Sequence, residues 1–329
     1  MSNIFILGSG SFGLAIANIA ACVESNNVTV WSAFKDEIDA LIKDREHKQK
    51  LPGVKISEKV RFTDDITKAQ NADIIVFGIP SSFVRSVAKN VKPYTDNCKC
   101  IVNTGKGFDE STLKLLSVTI AEEIPDKPVV VLSGPSHAEE VAIGIPTAVV
   151  AASDDASSAQ LVQDTFSTPT FRIYTGTDPK GCEIGGALKN IIALGAGVCD
   201  GLGCGDNTRA ALMTRGMTEI ARLGVAMGAK TETFAGLTGL GDLIVTCTSM
   251  HSRNRRAGIL IGQGVSATDA VKQIGTVEGY HCCKAAHQIA KNYGVEMPIT
   301  EGLYAVLFEG ADAKDILGKL LSRPQKKEI

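Results

Sequence analysis

Short apolar runs alternate with longer amphipathic stretches along the first half of the chain. The apolar runs are rich in β-branched residues and predict buried strands at residues 4–7, 28–31, 74–77, 100–103, 129–132, 147–152 and 171–174. Helical periodicity covers residues 13–24, 34–44, 83–91 and 111–123. Continuous apolar strands separated by helices predict an α/β fold, a Rossmann-type doubly wound parallel sheet covered on both faces.

The strand signal stops near residue 180, and helical periodicity continues to the end of the chain. The predicted helices cover residues 181–198, 207–227, 254–262, 267–273, 282–293, 298–308 and 313–320. The run Thr175-Gly176-Thr177-Asp178-Pro179 reads as a turn between the two regions. The sequence therefore predicts a dinucleotide-binding domain at 1–178 and an all-helical substrate-binding and catalytic domain at 179–329.

Composition excludes several classes of protein. The 329 residues are 44% hydrophobic and 21% charged, as in soluble globular proteins, and the net charge of −2 gives no global field for nucleic acid. The nine cysteines form no paired CxxC sets, so we expect reduced thiols in the cytoplasm and no metal site. An apolar strand opens the chain and no uncharged run reaches spanning length, so we expect no signal segment and no integral membrane association.

The turn Gly8-Ser9-Gly10-Ser11-Phe12-Gly13 follows the first strand and enters a helix rich in small residues. In dinucleotide-binding proteins the first glycine allows the tight turn and the second lets the backbone approach the pyrophosphate. The third lets helix and strand pack closely, and the helix N-terminus faces the phosphates. A glycine-rich turn needed only for packing is the alternative, but its place after a chain-opening strand favours a nicotinamide cofactor.

The sequence leaves the choice between NAD and NADP open. An NAD site usually has an acidic residue at the tip of the second strand, but this strand ends at Val30-Trp31-Ser32, and Asp36 and Glu37 come later. Lys35 could instead neutralise a 2′-phosphate. Trp31 either packs on the adenine or belongs to the core.

Loops after the predicted strands carry candidate site residues, since ligands of open parallel sheets bind beyond the carboxyl ends of the strands. The three loops are Gly78-Ile79-Pro80-Ser81, Asn103-Thr104-Gly105-Lys106-Gly107 and Ser133-Gly134-Pro135-Ser136-His137. Lys106 lies between two glycines, which favours a site role over that of an ordinary surface lysine.

Lys189 interrupts the small and apolar helical stretch 183–194. Burial disfavours an ammonium group and lowers its pKa, so this lysine is a candidate general base. A snorkelling or ion-paired lysine is the alternative. Asp242 follows a glycine loop and either caps a helix or orients Lys189. The basic run Ser252-Arg253-Asn254-Arg255-Arg256 at a helix start favours a phosphate or carboxylate ligand over a solvated turn.

Taken together and in this order, these motifs resemble the bacterial type of NAD(P)-dependent glycerol-3-phosphate dehydrogenase. The resemblance runs from about residue 3 to about residue 320. It rests on 8–13, 103–107, 133–141, 188–190, 239–243, 252–256 and 277–279.

The resemblance implies roles for particular residues. Lys189 matches the proton acceptor, with Lys106 and Asp242 positioning substrate and supporting it. Further substrate contacts match Gly134, Ser136, Ser252, Arg253 and Asn254. Cofactor contacts, beside the glycines of the turn, match Ser11, Phe12, Trp31, Lys106, Ala138, Arg253, Val277 and Glu278. Asn190, beside Lys189, and Thr246, one turn beyond Asp242, are expected to line the site. The family further implies a cytoplasmic homodimer that takes a phosphorylated small molecule and supplies phospholipid synthesis.

The sequence departs from the family pattern at three places, one of which is the segment 274–278, where a length one residue shorter than usual makes the match of Val277 weaker than that of Glu278. Phe12 stands where many members have tryptophan, and the turn Ser32-Ala33-Phe34-Lys35 lacks the usual arginine or histidine. Two other functions compete with this one: a related 3-hydroxy acid dehydrogenase or ketopantoate reductase, and a non-catalytic nucleotide sensor. The basic run at 252–256 argues against the first, and the complete set of Lys106, Lys189 and Asp242 argues against the second.

Overall fold

The structure is a computed structural model, which describes residues 2–325 and 327–328. The chain forms two compact units, Met1–Glu183 and Ile184–Ile329. The division falls within the helix Pro179–Gly201, so the turn at 175–179 precedes it.

The first unit is built on one eight-stranded sheet with the order β3-β2-β1-β4-β5-β6-β7-β8. Its first six positions have the order typical of dinucleotide-binding domains. The strands are β1 Ser2–Leu7, β2 Asn26–Trp31, β3 Val60–Thr63, β4 Ile74–Phe77, β5 Cys100–Asn103, β6 Val129–Ser133, β7 Thr147–Ala152 and β8 Phe171–Gly176. All seven predicted strands are present, and the predicted fold class is confirmed.

The direction of the last two strands differs from the prediction of a parallel sheet. Strand β7 pairs antiparallel to β6, and β8 runs parallel to β7. Antiparallel neighbours need no helical crossover, and only the five-residue helix Ala138–Ala142 lies between β6 and β7. An apolar run predicts that a strand is buried, but it does not predict whether the strand runs parallel or antiparallel to its neighbour.

Two errors of the sequence prediction, the missed strand β3 and the early start of the helix at 111–123, have local explanations. Strand β3 lies at the sheet edge with Arg61 exposed, so it has no continuous apolar run. The helix predicted at 111–123 begins only at Leu116, because Leu113 adopts a left-handed conformation with φ of 59°. The carboxylate of Asp109 also accepts the Ser111 amide at 2.9 Å, which closes a turn there.

Helices cover both faces of the sheet and form the second unit. In the first unit they are α1 Ser11–Cys22, α2 Lys35–Asp44, α3 Val84–Val91, α4 Leu116–Glu123, α5 Ala138–Ala142 and α6 Ala156–Phe166. The remainder are α7 Pro179–Gly201, α8 Asp206–Ala226, α9 Thr231–Phe234, α10 Asp242–Thr248, α11 Arg253–Gly262, α12 Ala267–Ile274, α13 Glu278–Tyr293, α14 Pro298–Phe308 and α15 Ala313–Leu321. Two separate apolar clusters in the first unit confirm a sheet buried on both faces.

Helix α7 is long and apolar enough to span a membrane by composition, with a mean hydropathy of 1.3, but that segment is entirely buried in the protein. Glycines let α11 approach it closely. A Cβ at Gly197 would lie 2.0 Å from the Arg255 carbonyl oxygen, and one at Gly258 would lie 2.1 Å from the Leu194 carbonyl oxygen. The backbones of α7 and α11 therefore pack directly against each other, and the apolar residues of α7 are those of a helix buried in the protein interior.

Stability of the second unit is expected to fall as pH rises through the titration of Glu219. This buried carboxylate accepts the Ile299 amide at 2.7 Å and the Thr300 amide at 3.3 Å. Burial outweighs these bonds and raises its pKa to about 7. The folded state therefore binds the proton more tightly than the unfolded chain, and about 3 kcal/mol of stability is lost between pH 4.5 and 7. Chemical denaturation of wild type and Glu219→Gln at pH 5 and 8 measures this; an identical pH dependence in both proteins would contradict it.

Candidate active site

The glycine turn has the geometry that a pyrophosphate site requires. Gly8 has φ of +114°, and a Cβ there would lie 2.5 Å from the Gly78 carbonyl oxygen. A Cβ at Gly13 would lie 2.2 Å from the Gly8 carbonyl oxygen, so this glycine lets α1 pack on β1. Gly10 is the N-cap of α1 and gives it no side-chain cap. The start of this 12-residue helix therefore presents backbone amides to a phosphate, and the residues fit a dinucleotide.

Three other predicted cofactor residues, Ser11 and Phe12 within this turn and Trp31 at the end of β2, differ in how far the protein itself already engages their side chains. Ser11 begins α1, and its hydroxyl donates to the Lys50 carbonyl at 2.5 Å. Phe12 is half-buried against the apolar core. Trp31 is buried in the other core cluster, and its Nε1 donates to the Asp64 carbonyl at 3.0 Å. The structure thus fits the core alternative for Trp31, and its contact with the adenine stays a prediction.

An acidic residue that the sequence analysis set aside lies beside the glycine turn. Glu37, in the first turn of α2, accepts the hydroxyls of Ser9 and Ser32, the latter at 2.6 Å, and contacts His47 at 2.7 Å and Lys50. Burial raises the pKa of this carboxyl, but the hydrogen bonds from these four side chains outweigh it and lower the pKa to about 2. Glu37 lies in the first turn of α2, and its side chain reaches back to Ser32 at the end of β2. In the sequence, the only sign of this contact is an acidic residue near the start of a predicted helix.

The loops after β5 and β6 meet at one backbone carbonyl. The Gly134 oxygen accepts Lys106 Nζ at 3.2 Å and the Ser136 hydroxyl at 2.9 Å. Gly134 has φ of +147°, and a Cβ there would lie 3.0 Å from the Cα of Val149, so the position requires glycine. The structure therefore brings together Lys106, Gly134 and Ser136, the three predicted substrate residues of the first unit. Ala138, a predicted cofactor contact, is the first residue of α5.

In the second unit Lys189 is buried, at 5% exposure, and forms an ion pair with Asp242, which is 1% exposed. Its Nζ also donates to the Thr246 hydroxyl at 2.7 Å, and that hydroxyl donates to the Asp242 carbonyl at 2.6 Å. Asp242 begins α10 without capping it, so the capping alternative is wrong. Lys189 does not snorkel, because it is paired inside the unit. The ion-paired alternative describes what the structure shows, and the role of this lysine as general base stays a prediction.

Backbone geometry sets the distance between the helices that carry this pair. A π-helical turn, Leu237–Gly241, precedes Asp242; such turns are rare and are frequent at functional sites. A Cβ at Gly185 of α7 would lie 2.7 Å from the Thr238 carbonyl oxygen. The glycine therefore lets α7 approach the turn that ends at Asp242.

A second buried network adjoins Lys189 in sequence. Asn190 donates to Glu278 Oε2 at 3.0 Å and accepts Asn254 Nδ2 at 2.9 Å, while Asn254 Oδ1 accepts the Gly279 amide at 2.7 Å. Much of the hydrogen-bonding capacity of Asn254 is thus used within the protein. Val277 is fully buried, and its contact with the cofactor stays a prediction.

The basic run divides into residues with different environments. Ser252 caps α11 by accepting the Arg255 amide, and Arg255 Nε donates to Asp200 at 2.8 Å. Arg253 and Arg256 are exposed. Arg255 is therefore neutralised by an aspartate, and Arg253, at the helix start, remains the better phosphate candidate.

The predicted site residues belong to both units, and their convergence on one substrate stays a prediction. Within residues 2–325 and 327–328, no group of three or more His, Cys, Asp or Glu side chains is arranged to hold a metal ion.

Comparison with known proteins identifies the family. Models of the N-terminus and the C-terminus of NAD-dependent glycerol-3-phosphate dehydrogenase match residues 3–159 and 178–318. The chain belongs to this dehydrogenase family. The resemblance inferred from the ordered motifs is confirmed.

Individual relatives of the dehydrogenase family match along the whole chain. A protein from Clostridium perfringens, named glycerol-3-phosphate dehydrogenase (NAD(P)+), is 50% identical and aligns with 100% of this chain and 99% of its own. A crystal structure of glycerol-3-phosphate dehydrogenase from Coxiella burnetii has a TM-score of 0.93 and 36% identity, covering 98% of this chain and 99% of its own. A ketopantoate reductase from Ralstonia eutropha has a TM-score of 0.59 at 15% identity, which shows a shared fold alone.

Proposed function

We propose that this protein interconverts dihydroxyacetone phosphate and sn-glycerol 3-phosphate with NAD or NADP, and that it supplies glycerol 3-phosphate for phospholipid synthesis. The observation that carries the proposal is the buried Lys189–Asp242 pair in a full-length member of the dehydrogenase family. A buried cation beside a carboxylate is suited to proton transfer.

Lys189 carries the proton of the reaction. In oxidation, neutral Lys189 Nζ takes the proton of the C2 hydroxyl as the C2 carbonyl forms. In reduction, the ammonium returns that proton to the carbonyl oxygen of dihydroxyacetone phosphate. The nicotinamide ring, when bound, accepts or supplies the hydride. Asp242 stabilises the ammonium form, and the Thr246 hydroxyl fixes the direction of Nζ.

The cofactor and substrate phosphates have separate candidate sites. Amides at the start of α1, between Gly10 and Gly13, hold the pyrophosphate of the dinucleotide. Arg253, at the start of the ten-residue helix α11, binds the substrate phosphate, and Lys106 adds positive charge from the loop after β5.

The carboxylate of Glu37 is expected to disfavour the 2′-phosphate of NADP. With its pKa at about 2, Glu37 is ionised at neutral pH, and it lies where acidic residues of this fold contact the adenosine ribose. Glu37→Gln should raise the NADPH:NADH ratio of kcat/KM about tenfold, equivalent to about 1.4 kcal/mol. The exposed neighbour Asp36 provides a control of equal charge change, Asp36→Asn. A ratio that is unchanged, or that changes equally in both variants, would contradict this role.

A substrate panel separates this function from the alternatives. Glycerol 3-phosphate should be oxidised at least about 10³-fold more efficiently than 3-hydroxybutyrate or pantoate, because Arg253 recognises a phosphate dianion. Preference for a non-phosphorylated hydroxy acid would support the related dehydrogenase or reductase. Tight cofactor binding without turnover of any substrate would support the sensor.

The proposal includes a cytoplasmic homodimer. The family resemblance supports both features. Light scattering should give a solution mass of about twice the 34.6 kDa of one chain. A mass of one chain at micromolar concentration would contradict the dimer.

A further inference from the structure

Glu183 is a buried carboxylate in the first unit that the proposed reaction does not use. It lies in the first turns of α7 and is 4% exposed. Its Oε1 accepts Asn103 Nδ2 and the Ser117 amide, both at 2.9 Å, and its Oε2 accepts the Ser117 hydroxyl. A single side chain thus gathers three donors from two other elements.

The donors lie at the two ends of one loop. Asn103 is the last residue of β5, and Ser117 lies in the first turn of α4. The segment between them, residues 104–116, is called here the Lys106 loop. Because one carboxylate binds both flanking residues, it fixes the separation of the two ends of this loop.

The same network extends to the residue before Lys106. Asn103 Oδ1 accepts the Gly105 amide at 3.0 Å, so the Asn103 side chain links Glu183 to the loop backbone. Space at Gly105 is tight, since a Cβ there would lie 2.9 Å from Leu116 Cδ1. A displacement of Asn103 or of the start of α4 would therefore move the backbone that carries Lys106.

Glu183 occupies a buried position where a carboxylate is unfavourable. Among the described residues, no basic side chain forms an ion pair with it, and its hydrogen-bond donors are uncharged. Desolvation outweighs these bonds and raises the pKa of the carboxyl to about 7. Apolar side chains of similar volume stabilise protein interiors as well as buried charges do, so this carboxylate points to a role beyond stability.

We infer that Glu183 is a positioning residue, which fixes the Lys106 loop so that Lys106 is presented to the phosphorylated substrate and the cofactor. This inference rests on the proposed function for the identity of the ligands. The anchoring of the loop itself is independent of that function.

Glu183→Met is the direct test. Methionine keeps the length of the side chain and has no oxygen, so Asn103 Nδ2, the Ser117 amide and the Ser117 hydroxyl all lose their shared acceptor. We expect KM for dihydroxyacetone phosphate and Kd for NADPH to rise about tenfold, with a smaller change in kcat. Hydrogen exchange of the amides in 104–116 should become faster.

Glu219→Met is the matched control. Glu219 is also a buried carboxylate that accepts two backbone amides, but it anchors α14 in the second unit. This variant should leave KM, Kd and the exchange of 104–116 within about twofold of wild type. Glu183→Gln is the conservative variant: its amide oxygen can still accept Asn103 and the Ser117 amide, and its amide nitrogen can donate to the Ser117 hydroxyl, so it should stay within about threefold of wild type.

The outcomes separate the two proposals. Absence of dihydroxyacetone phosphate turnover by wild type would overturn the proposed function, while faster exchange of 104–116 in Glu183→Met, and not in Glu219→Met, would still support the anchoring. An active wild type, with Glu183→Met matching Glu219→Met in KM, Kd and loop exchange, would overturn the positioning role.

Discussion

Replacing Lys189 by methionine is expected to lower kcat for dihydroxyacetone phosphate reduction by about 10³-fold or more. A positioned general acid or base contributes about 10²–10⁴-fold, and methionine keeps the volume of the side chain without a transferable proton. Steady-state kinetics with saturating NADH and NADPH measure the loss. Lys180→Met, which changes an exposed lysine of the same helix, should retain the wild-type rate.

Stability must be measured beside the rate, since the substitution leaves Asp242 buried without its cation. Removing one member of a buried pair costs about 3–5 kcal/mol. The double variant Lys189→Met/Asp242→Asn removes both charges and should recover part of this loss while remaining inactive. Near-normal turnover in Lys189→Met would show that another group transfers the proton.

Replacing Gly10 by alanine is expected to weaken NADH and NADPH binding by about 30-fold or more while leaving the fold intact. Gly10 has φ of −68° and ψ of 170°, which any residue adopts, and a Cβ there would meet only the Gly78 oxygen, at 3.7 Å. The protein alone therefore has no need for glycine at this position. The need arises from the pyrophosphate, which must approach this backbone closely.

Two other glycines provide the comparison for Gly10. Gly13→Ala should lower both affinity and melting temperature, because its Cβ would lie 2.2 Å from the Gly8 oxygen. Gly318→Ala, in α15 with nothing within 4 Å, should change neither adversely. Calorimetric titration and thermal unfolding measure both quantities. Wild-type affinity in Gly10→Ala would remove the turn from the pyrophosphate site.

The sequence predicted the first unit well because burial on both sheet faces leaves a continuous apolar run in each central strand. Strands β1, β4 and β5 follow this rule, whereas the edge strand β3 exposes Arg61 and was missed. The direction of β7 is decided by its pairing with β6, which is a tertiary property.

The sequence offered Asp242 as a residue that orients Lys189, with a structural alternative for each of the two. They lie 53 positions apart, and only the packing of α7 against the π-helical turn brings them into contact. Residue type and an apolar setting indicated that Lys189 was unusual. Asp242 could be named as its candidate partner, but the contact between them depends on long-range packing that no local pattern specifies.

Glu37 shows a different limit of sequence reasoning. The search for an acidic residue ended at the tip of β2, since that is where the fold usually places it. Here the first turn of α2 supplies the carboxylate, and the Ser9 and Ser32 hydroxyls hold it beside the glycine turn. A side chain that reaches back from a helix has no fixed spacing from the strand.

Reduction of dihydroxyacetone phosphate by the purified protein, with NADH and NADPH in parallel, tests the central claim most directly. We predict that at least one reduced cofactor is oxidised, that this oxidation requires dihydroxyacetone phosphate, and that sn-glycerol 3-phosphate forms in equal amount. The activity should be lost in Lys189→Met. Absence of turnover with both cofactors, in a folded protein that binds them, would contradict the assignment of this chain as a working glycerol-3-phosphate dehydrogenase.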